Sequence, residues 1–190
     1  MDGSDKHFTY SSHVKGRNLF FGHLKDEAET PVCVKVIRQY CKEGHEFLAK
    51  RACVPTLHTV ERLPKGMYMV VMDDVSENYE SLFNFLKSNT QNQSAEEHMN
   101  KVRACLAEFH QAGFVHGDFR DTNVMVRTLN RGGLKDGSFR IVDFDSCGRI
   151  EKARYPFILN THDTWRPPGA TGGASIEAGH DMAMLDHIWE

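Results

Sequence analysis

The segments HGDFRDTNVMV at 116–126 and IVDFD at 141–145 concentrate side chains able to do chemistry. Asp118 and Asn123 stand five positions apart on what should be a loop between a helix and a strand. Asp143 falls at the end of a second short apolar run. If VMV at 124–126 and FRIVDF at 139–144 pair as a hairpin, Asn123 and Asp143 reach the same end of it and face one cavity. Oxygen donors of this kind suit Mg²⁺, a hard cation usually held by one or two carboxylates plus substrate phosphates. Asp118, set back from that pair, can accept a proton from an attacking hydroxyl. Asp and Asn also favour turns and caps, so each of the three has a plainer structural reading.

The elements that must position these residues can be read from apolar spacing. Residues 18–24 (NLFFGHL), 32–37 (VCVKVI) and 67–72 (MYMVVM) are β-branched or aromatic runs bounded by polar loops and read as strands. Alternation in the second run puts Val32, Val34 and Val36 on one face and Cys33, Lys35 and Ile37 on the other. Residues 41–52 have helical spacing, weakened by Gly44, and 56–66 read as a polar connection. Further on, Tyr79, Leu82, Phe83 and Leu86 predict a one-sided helix. Ser94 and Glu97 have capping-box spacing ahead of the stripe Met99, Val102, Leu106 and Phe109, which runs to Gly113. Strands thus precede helices, with a change of pattern at 73–76.

Composition narrows the classes of function. At 190 residues with 40% hydrophobic and 26% charged side chains, the chain is long enough for an ordinary core. The formal charge is −3, so no global basic field draws it to nucleic acid or an anionic membrane, and any anionic ligand must be held by a local site. Five cysteines, at 33, 41, 53, 105 and 147, are scattered without a CxxC pair, which reads as packed thiols in a reducing compartment. With no signal-peptide core near the start and no run of membrane-spanning length, the expectation is an intracellular protein, cytoplasmic or nuclear.

HGDFRDTN resembles the catalytic loop of the protein kinase superfamily, written HRDxxxxN in ordinary protein kinases and HGDxxxxN in many small-molecule phosphotransferases and atypical kinases. VDFD resembles the magnesium-binding DFG segment and VCVK at 32–35 the nucleotide-lysine strand. The ordered set YCKEGHEFLAKRACVPTL, MYMVVMDDV, VHGDFRDTN, IVDFD and RYP…RPPG…HDMAML is similar to short kinase-like proteins of fungal type, over roughly residues 14–188. The resemblance implies an α+β, two-lobed kinase-like fold in one domain, with a β-rich N-lobe at about 1–74 and a mainly helical, C-terminally abbreviated C-lobe at about 75–190.

It also implies residue roles. Lys35 would hold the α- and β-phosphates of ATP and pair with Glu43, or with Glu46 one helical turn on. Cys33 would lie against adenine, Met72 would be the gatekeeper, and the backbone of Asp73 and Val75 would contact the adenine edge. Asp118 would be the catalytic base or orienting residue, Asn123 and Asp143 the Mg²⁺ ligands, and Arg120 would grip phosphate oxygens where serine/threonine kinases carry a lysine. Asp181 would steady the catalytic loop.

Four departures qualify the pattern. GRNLFFG at 16–22 is a poor phosphate loop, Gly117 replaces an arginine that reads activation-loop phosphate, Asp145 replaces the last glycine of DFG, and a clear APE segment is missing, although RPPGA lies at 166–170. The expected function is therefore an ATP- and Mg²⁺-dependent phosphotransferase acting on protein serine or threonine hydroxyls. The same chemistry on a small-molecule hydroxyl, a pseudokinase serving as a binding module, and, more remotely, a metal-dependent phosphoesterase stand as alternatives. Met182, Leu185, Ile188 and Trp189 are expected to face solvent or a partner, which would allow self-association through the last helix.

Overall fold

The computed structural model describes residues 7–88, 94–128 and 134–188, with the backbone alone at 94–97, 128 and 134–137. The chain divides into two compact units, one of the residues up to Gln39 with Pro55–Glu77 and one of Tyr40–Val54 with Asn78–Glu190.

The first unit is an antiparallel sheet of β1 (Phe8–His13), β2 (Leu19–Leu24), β3 (Pro31–Ile37), β4 (Leu57–Leu63) and β5 (Met67–Asp73), in the order β1-β2-β3-β5-β4. β3 is central, and its alternation holds at Val32 and Val34, which pack with Leu24 and Val71 in the sheet's core. Val36 is only half-buried. Neither edge strand is visible in the sequence. β1 is nearly all exposed, so it has no apolar face to alternate with a polar one, and β4 is half-buried and held by its backbone ladder to β5. GRNLFFG starts in the turn joining β1 to β2.

The second unit comprises α1 (Lys42–Ala49), β6 (Tyr79–Ser81), α2 (Leu82–Ser88), α3 (Ser94–Gln111), β7 (Phe114–Val115), β8 (Val124–Thr128), β9 (Leu134–Ile141), β10 (Gly148–Arg149) and α4 (Ala178–His187). The stripe on α3 is buried as its spacing predicts, with Val102, Leu106 and Phe109 2% exposed or less. Ser94 does begin that helix, but the capping-box side chains of Ser94 and Glu97 lie outside the described residues. β8 and β9 form the predicted hairpin, registered as Val124 to Ile141, and β9 begins at Leu134, ahead of the run FRIVDF.

Three expectations are corrected. The helix read from Tyr79 starts at Leu82, because 79–81 pair with β8; its buried side is Leu82 and Phe85 with Leu86, and Phe83 is exposed. The residues of α1, assigned by sequence to the first lobe, cluster with the second unit, and the later change of unit follows Glu77. The reason is packing: Leu48 is fully buried in the cluster that contains Phe109 and Phe114, and Phe47 lies against both rings. Gly44, a poor helix former, is required here because a Cβ would stand 2.8 Å from Cys147 Sγ and 3.1 Å from the Phe109 ring.

The last correction concerns α4. Leu185 is fully buried, and Met182 and Ile188 pack against the same core, so these side chains are covered by their own unit. That removes the ground for self-association through them, and Trp189 lies outside the described residues. Leu48→Ala and Leu185→Ala should each lower the unfolding free energy by about 2–5 kcal/mol. Ile158→Ala, at a side chain 95% exposed, should change it by less than about 0.5 kcal/mol. Urea denaturation followed by circular dichroism checks both; a wild-type midpoint for Leu185→Ala would contradict the burial of α4.

Candidate active site

The HGD segment is held from below by a carboxylate 65 residues away. Asp181, at the start of α4 and fully buried, accepts the His116 N–H at 2.7 Å and the Gly117 N–H at 2.8 Å, and its Oδ2 lies 3.0 Å from His110 Nε2. Gly117 has φ +79°, and a Cβ there would meet Ile176 Cδ1 at 2.7 Å. A side chain at this position is thus excluded by backbone conformation and by space. The fully buried His116 accepts the Asp118 N–H at Nδ1, 3.3 Å, which assigns its proton to Nε2, where it donates to the Val142 carbonyl at 3.1 Å.

That histidine links the loop to the strand end. The Val142 N–H donates to the Asn123 carbonyl at 3.0 Å, so the hairpin brings Asn123 and the segment with Asp143 to one end, as the spacing predicted. Asp143 has φ +69°, a left-handed conformation that Asp tolerates better than most residues and that recurs at functional positions. Asp143 and Asp145 also bear on Tyr40. Burial first, then these two carboxylates with Cys147 and Cys41, push its phenol well above the ordinary range, so the hydroxyl stays protonated where it hydrogen-bonds with His45 Nδ1.

The Asp118 carboxylate has three hydrogen-bond partners among the described residues. Its Oδ2 accepts from Arg120 Nε at 3.1 Å and from Asn123 Nδ2 at 3.0 Å, and its Oδ1 accepts from Arg166 Nη2 at 2.6 Å. Asn123 Nδ2 also donates to the Asp118 carbonyl at 2.9 Å, which turns the amide oxygen away from Asp118. Arg120 reaches Thr164 Oγ1 at 3.1 Å with its Nη1. The sequence brought Asp118, Arg120 and Asn123 together correctly; it did not bring in Arg166, Thr164 or Tyr155. No spacing rule reaches a partner 48 residues away, and Arg166 stood in RPPGA, a segment noted only for its distance from DFD. Tyr155 lies 5.9 Å under the Arg166 guanidinium, with its phenol pushed up to about 12 by burial and the Asp181 charge.

Asn123 and Asp143 fit a divalent ion through the chemistry of their donors: a carboxylate and an amide oxygen at one hairpin end. Among the described residues no group of three His, Cys, Asp or Glu forms a cage. An ion held here would take its other ligands from water and phosphate, the usual state of Mg²⁺.

The remaining candidate residues are placed as follows. In the first unit, Lys35 pairs in register with Leu19 and Val70 on the central strand. Burial, with Asp74 adding to it, pushes the neighbouring Cys33 thiol up to about 12, so it presents an uncharged surface. Asp73 ends β5, with its N–H donated to Thr56 O at 2.9 Å and its carboxylate 2.7 Å from His58 Nε2; half-buried Val75 follows. In the second unit, the Glu43 carboxylate is largely exposed and pairs with Arg149 at 2.8 Å, while Glu46 lies 3.6 Å from Lys42.

Comparisons with known proteins bear on the family and the fold. The model of the lipopolysaccharide kinase (Kdo/WaaP) family matches residues 61–155. The chain is 22% identical to serine/threonine-protein kinase 1 of African swine fever virus, in several isolates including the Badajoz strain, over 78% of this chain and 47% of the viral protein. It therefore spans about half the length of those relatives. Among solved structures, the kinase PK-1 of Cydia pomonella granulovirus superposes with a TM-score of 0.71 at 15% identity, covering 94% of this chain and 65% of that one. The fold is kinase-like.

Asp181→Ala would strand two buried backbone N–H groups, at about 1–3 kcal/mol each. Gly117→Ala should cost about 1–3 kcal/mol through strain and collision with Ile176. Thermal unfolding measures both, and an Asp181→Ala protein melting with wild type would exclude the anchoring role.

Proposed function

Since the chain belongs to the lipopolysaccharide kinase (Kdo/WaaP) family, within the protein-kinase-like superfamily, we propose that it transfers the γ-phosphoryl group of ATP, with Mg²⁺, to a serine or threonine hydroxyl of a protein. The observation that carries this reading is the Asp118 carboxylate held by Arg120, Asn123 and Arg166 on a loop whose backbone is fixed by Asp181. Phosphoryl transfer asks little covalent work of a protein and is accelerated by positioning and by offsetting negative charge.

In this reading Asp118 orients the acceptor hydroxyl and takes its proton as the new O–P bond forms and the bond from the γ-phosphorus to the β–γ bridging oxygen breaks, releasing ADP. Arg120, partly exposed beside it, presents a guanidinium that remains charged and can grip phosphate oxygens. Asn123 and Asp143 hold the divalent ion, which when bound offsets charge on the nucleotide's phosphate oxygens. Lys35 supplies a cation for the α- and β-phosphates. The Asp73 and Val75 backbone and the neutral Cys33 thiol receive adenine. The viral serine/threonine kinases support a protein acceptor. The family's description as lipopolysaccharide kinases supports a second reading, a sugar hydroxyl as acceptor.

Incubation with γ-³²P-ATP and Mg²⁺ against dephosphorylated casein and against a soluble glycan extract distinguishes them. Label on serine or threonine supports the first, and label on glycan alone supports the second. No label on either, with nucleotide still raising the melting temperature, overturns turnover and leaves a binding module. Asp118→Asn should retain ATP binding and lower turnover by about 10²–10⁴. Asp143→Ala should lose the thermal shift produced by Mg·ATP; a wild-type response would remove Asp143 from the ion site.

A further inference from the structure

Arg166 is a buried cation that the sequence pattern does not assign. Its side chain is 8% exposed, and it donates from Nη2 to Asp118 Oδ1 at 2.6 Å and from Nη1 to the Gly117 carbonyl at 3.1 Å, with Met184 Sδ 3.5 Å from the same nitrogen. Its Nε is buried with no hydrogen-bond partner. A guanidinium left with one donor unsatisfied is not maximising its own bonding; the two oxygen acceptors it reaches both belong to the HGD segment. Asp181 grips the N–H groups of that segment and Arg166 grips a carbonyl and the carboxylate.

Lone pairs decide what this does. A carboxylate offers about four acceptor sites, two on each oxygen. On Oδ2 both are used, by Arg120 and Asn123; on Oδ1 one is used, by Arg166. Among the described residues the remaining site is therefore on Oδ1. Building on the phosphotransferase reading above, we propose that Arg166 is a positioning residue: by occupying one lone pair of Oδ1 and tying Gly117, it fixes the direction of the other, which receives the acceptor hydroxyl. Arg120 shares Oδ2 and faces solvent, so it serves the phosphate side, and Arg166 serves the acceptor side.

The test uses the full chain with γ-³²P-ATP and whichever of casein or glycan the wild type labels. Arg166→Met should lower kcat by about 10²-fold or more, the scale of losing a positioned acid–base group, with KM for ATP changed less than about threefold. Arg166→Lys, which keeps the charge but cannot bridge two acceptors in one plane, should recover part of that loss. Adding Arg166→Met to Asp118→Asn should produce no further decrease, because the two act as a unit. Should Arg166→Met not fold, Arg166→Gln replaces it, since its amide can still reach one acceptor. Multiplying losses in the double variant, a kcat within about threefold of wild type, or a defect confined to ATP KM would each overturn the positioning role. A wild type that labels neither acceptor overturns the phosphotransferase reading itself, a result distinct from an active wild type that is indifferent to Arg166.

Discussion

Everything in the candidate site hangs from one buried carboxylate. Asp181 has no accessible surface and no guanidinium or ammonium beside it in the described contacts; its charge is met by two backbone N–H groups and a histidine. Removing a carboxylate from water costs several kcal/mol, and charge-assisted hydrogen bonds of this kind offset the cost only when geometry is good. The loop can therefore take few conformations. A shift of His116 or Gly117 by a fraction of an ångström would lose a bond to a buried charge, so the anchor specifies where Asp118 begins.

From that fixed point, charge alternates outward. Gly117 passes its carbonyl to Arg166, Arg166 passes a donor to Asp118, and Asp118 passes its other oxygen to Arg120 and Asn123. Each partner restrains the next, and the surroundings of His116 are equally packed, with Phe119 and Phe144 rings edge-on at 5.4 Å. Such a chain tolerates little substitution, because removing one member leaves its neighbour buried and unpaired. It also explains why Gly117 is not a casual departure from HRD: the site has neither the φ nor the space for a longer residue.

What the sequence made legible follows from distance along the chain. Asp118, Asn123 and Asp143 could be found because a loop of fixed length and a hairpin carry their own geometry in their spacing. The stripe on α3 was legible for the same reason. The outer strands β1 and β4 were not, since backbone pairing holds them and their side chains carry no alternation to read. α1 was seen as a helix but assigned to the wrong unit: its local pattern shows an apolar side and cannot say which core covers it, and Gly44 looked like a weakness when it is a packing requirement. Arg166 could be recognised only in three dimensions.

Local charge then resolves an apparent conflict in composition. The chain carries a net −3, yet the proposed phosphoryl transfer needs a polyanion to be attracted. Around Asp118 the balance is reversed, with two guanidiniums held against one carboxylate. The buried Arg166 neutralises Asp118, and the more exposed Arg120, with its side chain 38% accessible, keeps an outward-facing charge. One cation is thus committed to Asp118 inside, and the other keeps part of its surface open to a ligand. Asp143 and Asp145 add negative charge at the adjoining strand end, and in the proposed function a divalent cation would offset it. The division between a base side and a metal side in the proposed function therefore rests on which of these charges are buried and which are exposed, and a global excess of acidic residues does not oppose it.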